Sequence, residues 1–240
     1  MFGFFKKKKQ KPFVTAILAA GGTGSRMGQN KLLIEIGDMP VIAHSLKALE
    51  SCDLIDEIII SAHRDHIVEY GNIAKEYGIS KLSVIISGGN TRTESVYNGI
   101  SQASDKSKFI LVHDAARPFV SKKEIEDVIA KAFTYGAATV AVPVKDTIKA
   151  VDGDKISKTI KRDKLVQVQT PQVFDKDILK GALSNVITKN IPVTDDCQAA
   201  EIMGFYPHIV IGSYDNIKIT TPEDLFFGQA ILNKREVTLK

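Results

Sequence analysis

Arg26 and Lys31 stand five residues apart at the end of a glycine-rich run, Ala19-Ala20-Gly21-Gly22-Thr23-Gly24-Ser25-Arg26-Met27-Gly28. Glycines let backbone N–H groups close on phosphate oxygens, and the two cations add charge where an anion would sit. Two phosphate-binding signatures can be tested against this run. A dinucleotide fingerprint needs Gly-x-Gly-x-x-Gly, but Met27 occupies the third glycine position, and the next strand ends in Ser61-Ala62 with no acid to hold a ribose. A Walker A loop, Gly-x4-Gly-Lys-Ser/Thr, is absent. Two readings of the loop stay open: a seat for a nucleoside triphosphate, or a tight strand-to-helix turn with surface cations.

The elements around the loop alternate. Phe13–Leu18, Glu57–Ser61, Leu82–Ile86, Phe109–Val112 and Ala138–Val142 are short apolar runs that read as buried strands. Between them Pro40–Leu49, Asp65–Tyr77, Thr91–Ala103 and Lys122–Tyr135 carry helical apolar spacing, with Gly78 closing the second. This rhythm predicts an α/β fold, a Rossmann-like three-layer sandwich with a mostly parallel sheet. Ligands in such folds gather beyond the carboxyl ends of the strands. The loop, Gly88-Gly89 with Arg92 and Ser95, and His113-Asp114 with Arg117 all fall at such ends. From about residue 144 to 168 the pattern changes to short alternating segments, Lys145–Val151, Lys155–Lys161 and Leu165–Val168, with a turn at Asp152-Gly153-Asp154. It reads as a projecting β-arm, and an arm with alternating apolar residues asks for a partner surface, which suggests a homodimer. Asp177–Val186, Asp195–Met203 and Pro222–Asn233 read as helices, and Ile209–Ile211 and Ile217–Ile219 as short strands. Residues 13–240 then form a single domain behind a basic tail, residues 1–12.

Taken in order, the strand-end segments resemble one family. They are Leu18–Gly28 with Lys31, Gly88–Val96, Val112–Pro118, Val144–Lys149, Gln169-Thr170-Pro171-Gln172, Thr194-Asp195-Asp196 and Asp215–Thr220. The set is similar to the 2-C-methyl-D-erythritol 4-phosphate cytidylyltransferases, within the nucleotide-diphospho-sugar transferase type of fold. The resemblance implies attack of the 4-phosphate of methylerythritol on the α-phosphorus of CTP, with pyrophosphate leaving and Mg²⁺ or another divalent cation assisting. It implies catalytic roles for Arg26 and Lys31 at the pentavalent phosphorus, and for Arg162 and Lys218 in positioning the acceptor phosphate. Arg162, on the arm, would reach the neighbouring subunit's site. Ala19, Ala20, Gly21, Gly22, Gly24, Gly88, Gly89, Arg92, Ser95 and Asp114 would hold the nucleotide, and Arg117, Thr147, Thr170 and Thr194 the acceptor. Asp114 and Asp215 would stand near the metal. A phosphate monoester has its second pKa near 6, so the attacking group is already largely ionised and needs no general base. His113 is therefore read as structural. Bland alternatives remain beside these roles: Asp114 and Arg117 could pair to brace their loop, Ser95 could serve the start of its helix, and Lys218 could be a solvated lysine on an edge strand. The chain departs from the family at Leu18-Ala19, at Leu32 after Lys31, and at Asp196-Cys197, where Glu-Ala is common after Thr-Asp. A ribitol-5-phosphate cytidylyltransferase and a non-catalytic nucleotide-binding domain are the competing readings.

Composition narrows the partners. Five of the charges behind the formal +4 are Lys6, Lys7, Lys8, Lys9 and Lys11; without them the remaining residues sum to about −1. The body is not a basic surface, which argues against nucleic acid as a partner. No apolar run approaches the ~20 residues of a membrane span, and no apolar stretch follows the lysines as in a secretory signal. Cys52 and Cys197 form no paired motif, and His44, His63, His66 and His208 no ligand spacing. A cytoplasmic protein with two free buried thiols is the expectation.

Overall fold

The computed structural model describes residues 11–22 and 30–238. The lysine tail before Lys11, and Gly24 and Arg26 of the glycine loop, lie outside the described residues.

Seven strands form the central sheet: β1 (Phe13–Ala20), β4 (Glu57–Ala62), β5 (Leu82–Ser87), β6 (Ser107–Asp114), β7 (Ala137–Pro143), β10 (Val166–Asp175) and β11 (His208–Ile211). Their order is β11-β7-β10-β6-β1-β4-β5. All run in one direction except β10, which lies antiparallel between β6 and β7. Side chains alternate across the sheet. Ala16, Leu18, Ile58, Ile60 and Leu111 face α1 (Val41–Glu50), α2 (Ile67–Glu76) and α4 (Lys122–Tyr135). Ile17, Ile59, Ile110, Val112 and Phe174 face α3 (Arg92–Gln102), α5 (Lys176–Thr188) and α6 (Asp196–Ile202). These are the three layers expected from the alternating pattern. A last helix, α7 (Glu223–Thr238), brings Leu225, Ile231 and Leu232 against the first face. The helix starts follow local chemistry. Thr91 and Ser121 each accept from the N–H of a glutamate three residues on, whose carboxylate returns the bond, and α4 ends at Gly136 with φ +84°.

Three details depart from the sequence reading. Leu165–Val168 is no third strand of an arm: Val166–Val168 opens β10, a strand of ten residues that runs into the sheet. Pro171, without an N–H, falls in the stretch between Val168 and Gln172 where the pairing with β7 shifts register, so the strand continues past a residue that reads as its end. The projecting arm is thus a two-stranded hairpin, β8 (Ile148–Asp152) with β9 (Lys155–Ile160), turning at Gly153 with φ +59°. Ile217–Ile219 is not a strand. It is an extended segment joined to the body through the Ile219 N–H and the Ala116 carbonyl, 2.8 Å apart, and without further rungs it makes no ladder. Two residue pairs the sequence reading passed over, β2 (Glu35–Ile36) and β3 (Met39–Pro40), make a small hairpin around Gly37.

Ile60 is fully buried on β4, whereas Val68 on α2 is 76% exposed. Ile60→Ala should cost about 2–5 kcal/mol in urea unfolding, and Val68→Ala no more than ~0.5 kcal/mol. Equal costs at the two positions would mean that this face of the sheet is not the packed core.

Candidate active site

The site lies where the sheet's carboxyl ends open. Asp114 is the last residue of β6, beside Ala19 of β1 in register. Lys218 donates to its Oδ2 at 2.6 Å and Arg92 Nε to its Oδ1 at 3.1 Å. Arg92, the first residue of α3, also places a guanidinium nitrogen 2.9 Å from Asp196, the first residue of α6. The side chains of Asp196 and Asp114 are 1% and 11% exposed, that of Arg92 31%. Two acids and two cations thus balance at the floor of an opening. Burial opposes the charge on Asp114, but Arg92 and Lys218 outweigh it and hold the carboxyl well below the usual range. Burial pushes the Asp196 carboxyl up, and Arg92 offsets this only in part. Arg92 pays a burial penalty too, yet Asp196 and Asp114 raise its pKa further.

Hydrogen bonds fix the turn after β6. The Asp114 N–H donates to Thr170 Oγ1 at 3.1 Å, and that hydroxyl lies 3.0 Å from His113 Nδ1. On the far side of the ring, Nε2 is 3.1 Å from the Arg117 carbonyl. A carbonyl only accepts, so Nε2 carries the proton and Nδ1 accepts from Thr170. Burial pushes the pKa of this neutral imidazole down to about 4. Arg117 does not pair with Asp114. Its guanidinium donates to the Asn216 carbonyl at 2.7 Å, and burial lowers its pKa. Asn216, fully buried, donates in turn to the Thr170 carbonyl and to Gln169. This clasp sets the segment that presents Lys218.

The cleft above these groups has a volume of about 360 Å³. Ala19, Ala20, Gly21, Gly22 and Lys31 form one wall; Gly89, Arg92 and Ser95 form another; Asp114 and Lys218 close the floor. All ten were expected from the sequence. Asn30 anchors the start of the Lys31 turn, accepting from the Leu32 N–H and donating to the hydroxyl of buried Tyr70. Gly88 stands behind the wall, where a Cβ would lie 2.7 Å from Ser95 Oγ. Ser95 accepts from the Gly89 N–H and donates to the Thr91 carbonyl, so it also serves the start of its helix.

Other expected residues lie elsewhere. Thr170 is under the turn with its hydroxyl engaged. Thr194 is exposed and donates to Gln198. Thr147 and Arg162 are exposed at the base of the hairpin, where Arg162 donates to the Lys145 carbonyl. Neither lines the cleft. Asp215 forms an ion pair with Lys234 at 2.8 Å and does not line the cleft. Among the described residues no group of three His, Cys, Asp or Glu side chains could hold a metal. The sequence reading gave no role to Leu32, Asn90, Thr91 and Ala116, which also line the cleft, or to Asp196, Gln172 and Asn216, which brace it. The Thr-x-x-Glu capping box marked Thr91; buried Asn216 carries no local signal.

A nucleotide-sized cleft with glycine and cationic walls, at the carboxyl ends of a doubly wound sheet, defines a nucleotidyltransferase of the nucleotide-diphospho-sugar transferase type. The sequence profile of the 2-C-methyl-D-erythritol 4-phosphate cytidylyltransferases matches residues 14–234. The chain belongs to that family. It is 42% identical over 224 residues to the Halalkalibacterium halodurans protein of that name, covering 92% of this chain and 98% of that one. With the Clostridium novyi protein it shares 43% over 223 residues, covering 90% and 95%. The fold matches the 4-diphosphocytidyl-2C-methyl-D-erythritol synthase of Anaerococcus prevotii with a TM-score of 0.84 at 32% identity, over 93% of this chain and 97% of that one. The enzyme carries out CTP-dependent cytidylyl transfer in the formation of isoprenoid precursors.

His113 supplies a test of the turn. Its folded pKa, about 4, lies below an unfolded value of about 6.5. Its stabilising effect is full above pH 6.5 and is lost as pH falls toward 4. Between pH 7.5 and 5 the wild type should lose about 2 kcal/mol more unfolding free energy than His113→Gln. Parallel losses in urea titrations, or an imidazole found by NMR to be charged at pH 5.5, would contradict the assignment.

Proposed function

We propose that CTP lies in the cleft with its triphosphate along Gly21, Gly22 and Lys31 and its base against Ala19, Ala20, Gly89 and Ser95, with Gly88 behind them. The observation that carries this reading is that Lys31, Arg92 and Lys218 reach one cleft from three distant parts of the chain. Small residues at the base-binding wall leave room for a flat pyrimidine and crowd a purine. Methylerythritol phosphate approaches from the Lys218 side. An oxygen of its phosphate forms a bond to the α-phosphorus of CTP, the bond from that phosphorus to the bridging oxygen breaks, and pyrophosphate carries away the electron pair. The attacking phosphate is largely a dianion at neutral pH. The chain's contribution is alignment of two polyanions and positive charge where negative charge grows. Lys31 stabilises the five-coordinate phosphorus and the leaving pyrophosphate, joined by Arg26 of the glycine loop. Lys218 orients the acceptor phosphate.

Mg²⁺ or another divalent cation fits this site as a companion of the triphosphate. Such ions keep one or two carboxylates and take the rest of their shell from phosphate oxygens and water. Asp114, the acid that lines the cleft, is already held by Lys218 and Arg92 and would reach the ion through its water shell; Asp215 does not line the cleft and is not a ligand in this reading. When bound, the ion neutralises charge on the phosphates.

Arg162 and Thr147 sit outside the cleft of their own chain, on a hairpin that carries exposed Val151 and Ile156. In this proposal two copies pair through the hairpin, and Arg162 completes the acceptor site of its neighbour, with Thr194 bonding the acceptor's hydroxyls. Arg117 and Thr170 act from beneath by holding the Asp114 turn. Among the described residues no helix is long and apolar enough to cross a membrane; the cytoplasm is the proposed compartment.

Pyrophosphate release with CTP and each acceptor tests the reaction. Faster turnover with ribitol 5-phosphate than with methylerythritol phosphate would reassign the acceptor. Lys31→Ala should lower kcat by about 10²–10³, the scale of losing one donor to a developing anion. Wild-type turnover in that variant would remove Lys31 from the chemistry. Arg162→Ala should raise KM for the acceptor about tenfold, the effect of roughly one lost charged contact, while KM for CTP holds. An unchanged acceptor KM would take Arg162 out of the site.

A further inference from the structure

Asp196 is a buried carboxylate that the reaction does not use. It does not itself line the cleft; its contact with the site is Arg92, at 2.9 Å. It is held from below. Its N–H donates to Gln172 Oε1 at 3.2 Å, and Gln172 Nε2 donates to Asp195 at 2.9 Å, the residue that caps α6 through the Gln198 N–H. Gln172, on β10, is itself 1% exposed. The carboxylate therefore sits on a fixed mount.

Charge balance shows what Asp196 adds. Lys218 already neutralises Asp114 at 2.6 Å. Without a second acid, the Arg92 guanidinium would close on Asp114 with two parallel bonds, the geometry that an arginine and a carboxylate prefer. With Asp196 present the guanidinium stands between two acids instead: Nε donates to Asp114, and a terminal nitrogen lies 2.9 Å from Asp196 as an ion pair with no N–H aimed at that oxygen. A guanidinium has five N–H donors in a rigid fork. One of the five is spent on Asp114, and Arg92 lines the cleft, where a ligand can take the others.

We propose that Asp196 is a positioning residue that draws Arg92 off Asp114 and sets its free donors toward the nucleotide. The inference rests on the reading of the cleft as the CTP seat. It acts on nucleotide binding through Arg92, and not on the acceptor, although Asp196 lies two residues beyond Thr194.

The experiment is a double-mutant cycle on the full-length chain, with Arg92→Gln, Asp196→Asn and the pair. CTP binding is measured by calorimetry without acceptor, and KM for both substrates in the pyrophosphate assay. Asp196→Asn should weaken CTP binding about tenfold, leave KM for methylerythritol phosphate within about twofold, and add nothing to the loss caused by Arg92→Gln. A folded Asp196→Asn with wild-type CTP affinity would overturn the proposal. So would losses that multiply in the double variant, or a matched rise in acceptor KM, which mere support of the α6 start beside Thr194 would give. If Asp196→Asn does not fold, Arg92→Lys decides: an ammonium cannot divide itself as the planar fork does, so CTP affinity should fall about tenfold, and an unchanged affinity sinks the idea. Failure of the cleft assignment itself looks different, because the wild type would then bind no CTP.

Discussion

One carboxylate at the end of β6 gathers cations from 22 residues before it and 104 residues after it. Asp114 can stay ionised in a buried position because Arg92 and Lys218 reach it together. Their approach in turn fixes the starts of α3 and of the segment leading to α7. A buried ion pair is a weak source of net stability, since desolvation consumes much of the attraction. It is a strong source of geometry, because each charge left alone at this depth would be costly. The cleft's shape follows from that constraint: the cations cannot drift into solvent without stranding Asp114 or Asp196.

The backbone beneath is arranged to make this meeting place rigid. β10 enters the sheet antiparallel and lays Gln169, Thr170 and Gln172 against the end of β6. From there the Thr170 hydroxyl ties Asp114 to His113, and the Thr170 carbonyl and Gln169 take the amide of Asn216. These residues are all buried, and each of these bonds joins two different elements among β6, β10 and the Asn216 segment. The hairpin β8–β9 leaves the sheet between β7 and β10, so its base stands beside the same strand. The strand that braces the floor of the cleft is therefore continuous with the arm that projects from the body.

Much of this was legible from the residues in order. Hydrophobic period predicted the alternation of strands and helices, and the bounds of α4 coincide with Lys122–Tyr135 as read from spacing. Glycine runs and charged residues at strand ends marked segments that hold nine of the residues lining the cleft, and the resemblance to the family added Lys218. Those signals are local: a helix face, a strand's alternation and a turn each declare themselves within a few neighbours in the chain. The sequence by itself therefore determined the fold class, the family and the side of the sheet that does chemistry.

Only the tertiary structure decided who pairs with whom. Arg117, three residues from Asp114, was the local candidate for its partner, yet it bonds the Asn216 carbonyl while Lys218 takes the carboxylate. Asp215 was placed near a metal and instead meets Lys234. Asp196 followed a capping acid and carried no mark of its own, until α6 set it under Arg92. The reason is physical. Apolar burial acts over whole faces and imprints a period on the chain, whereas an ion pair is chosen by a separation of about 3 Å between the tips of long side chains. That separation exists only after helices and strands from across the sequence have packed.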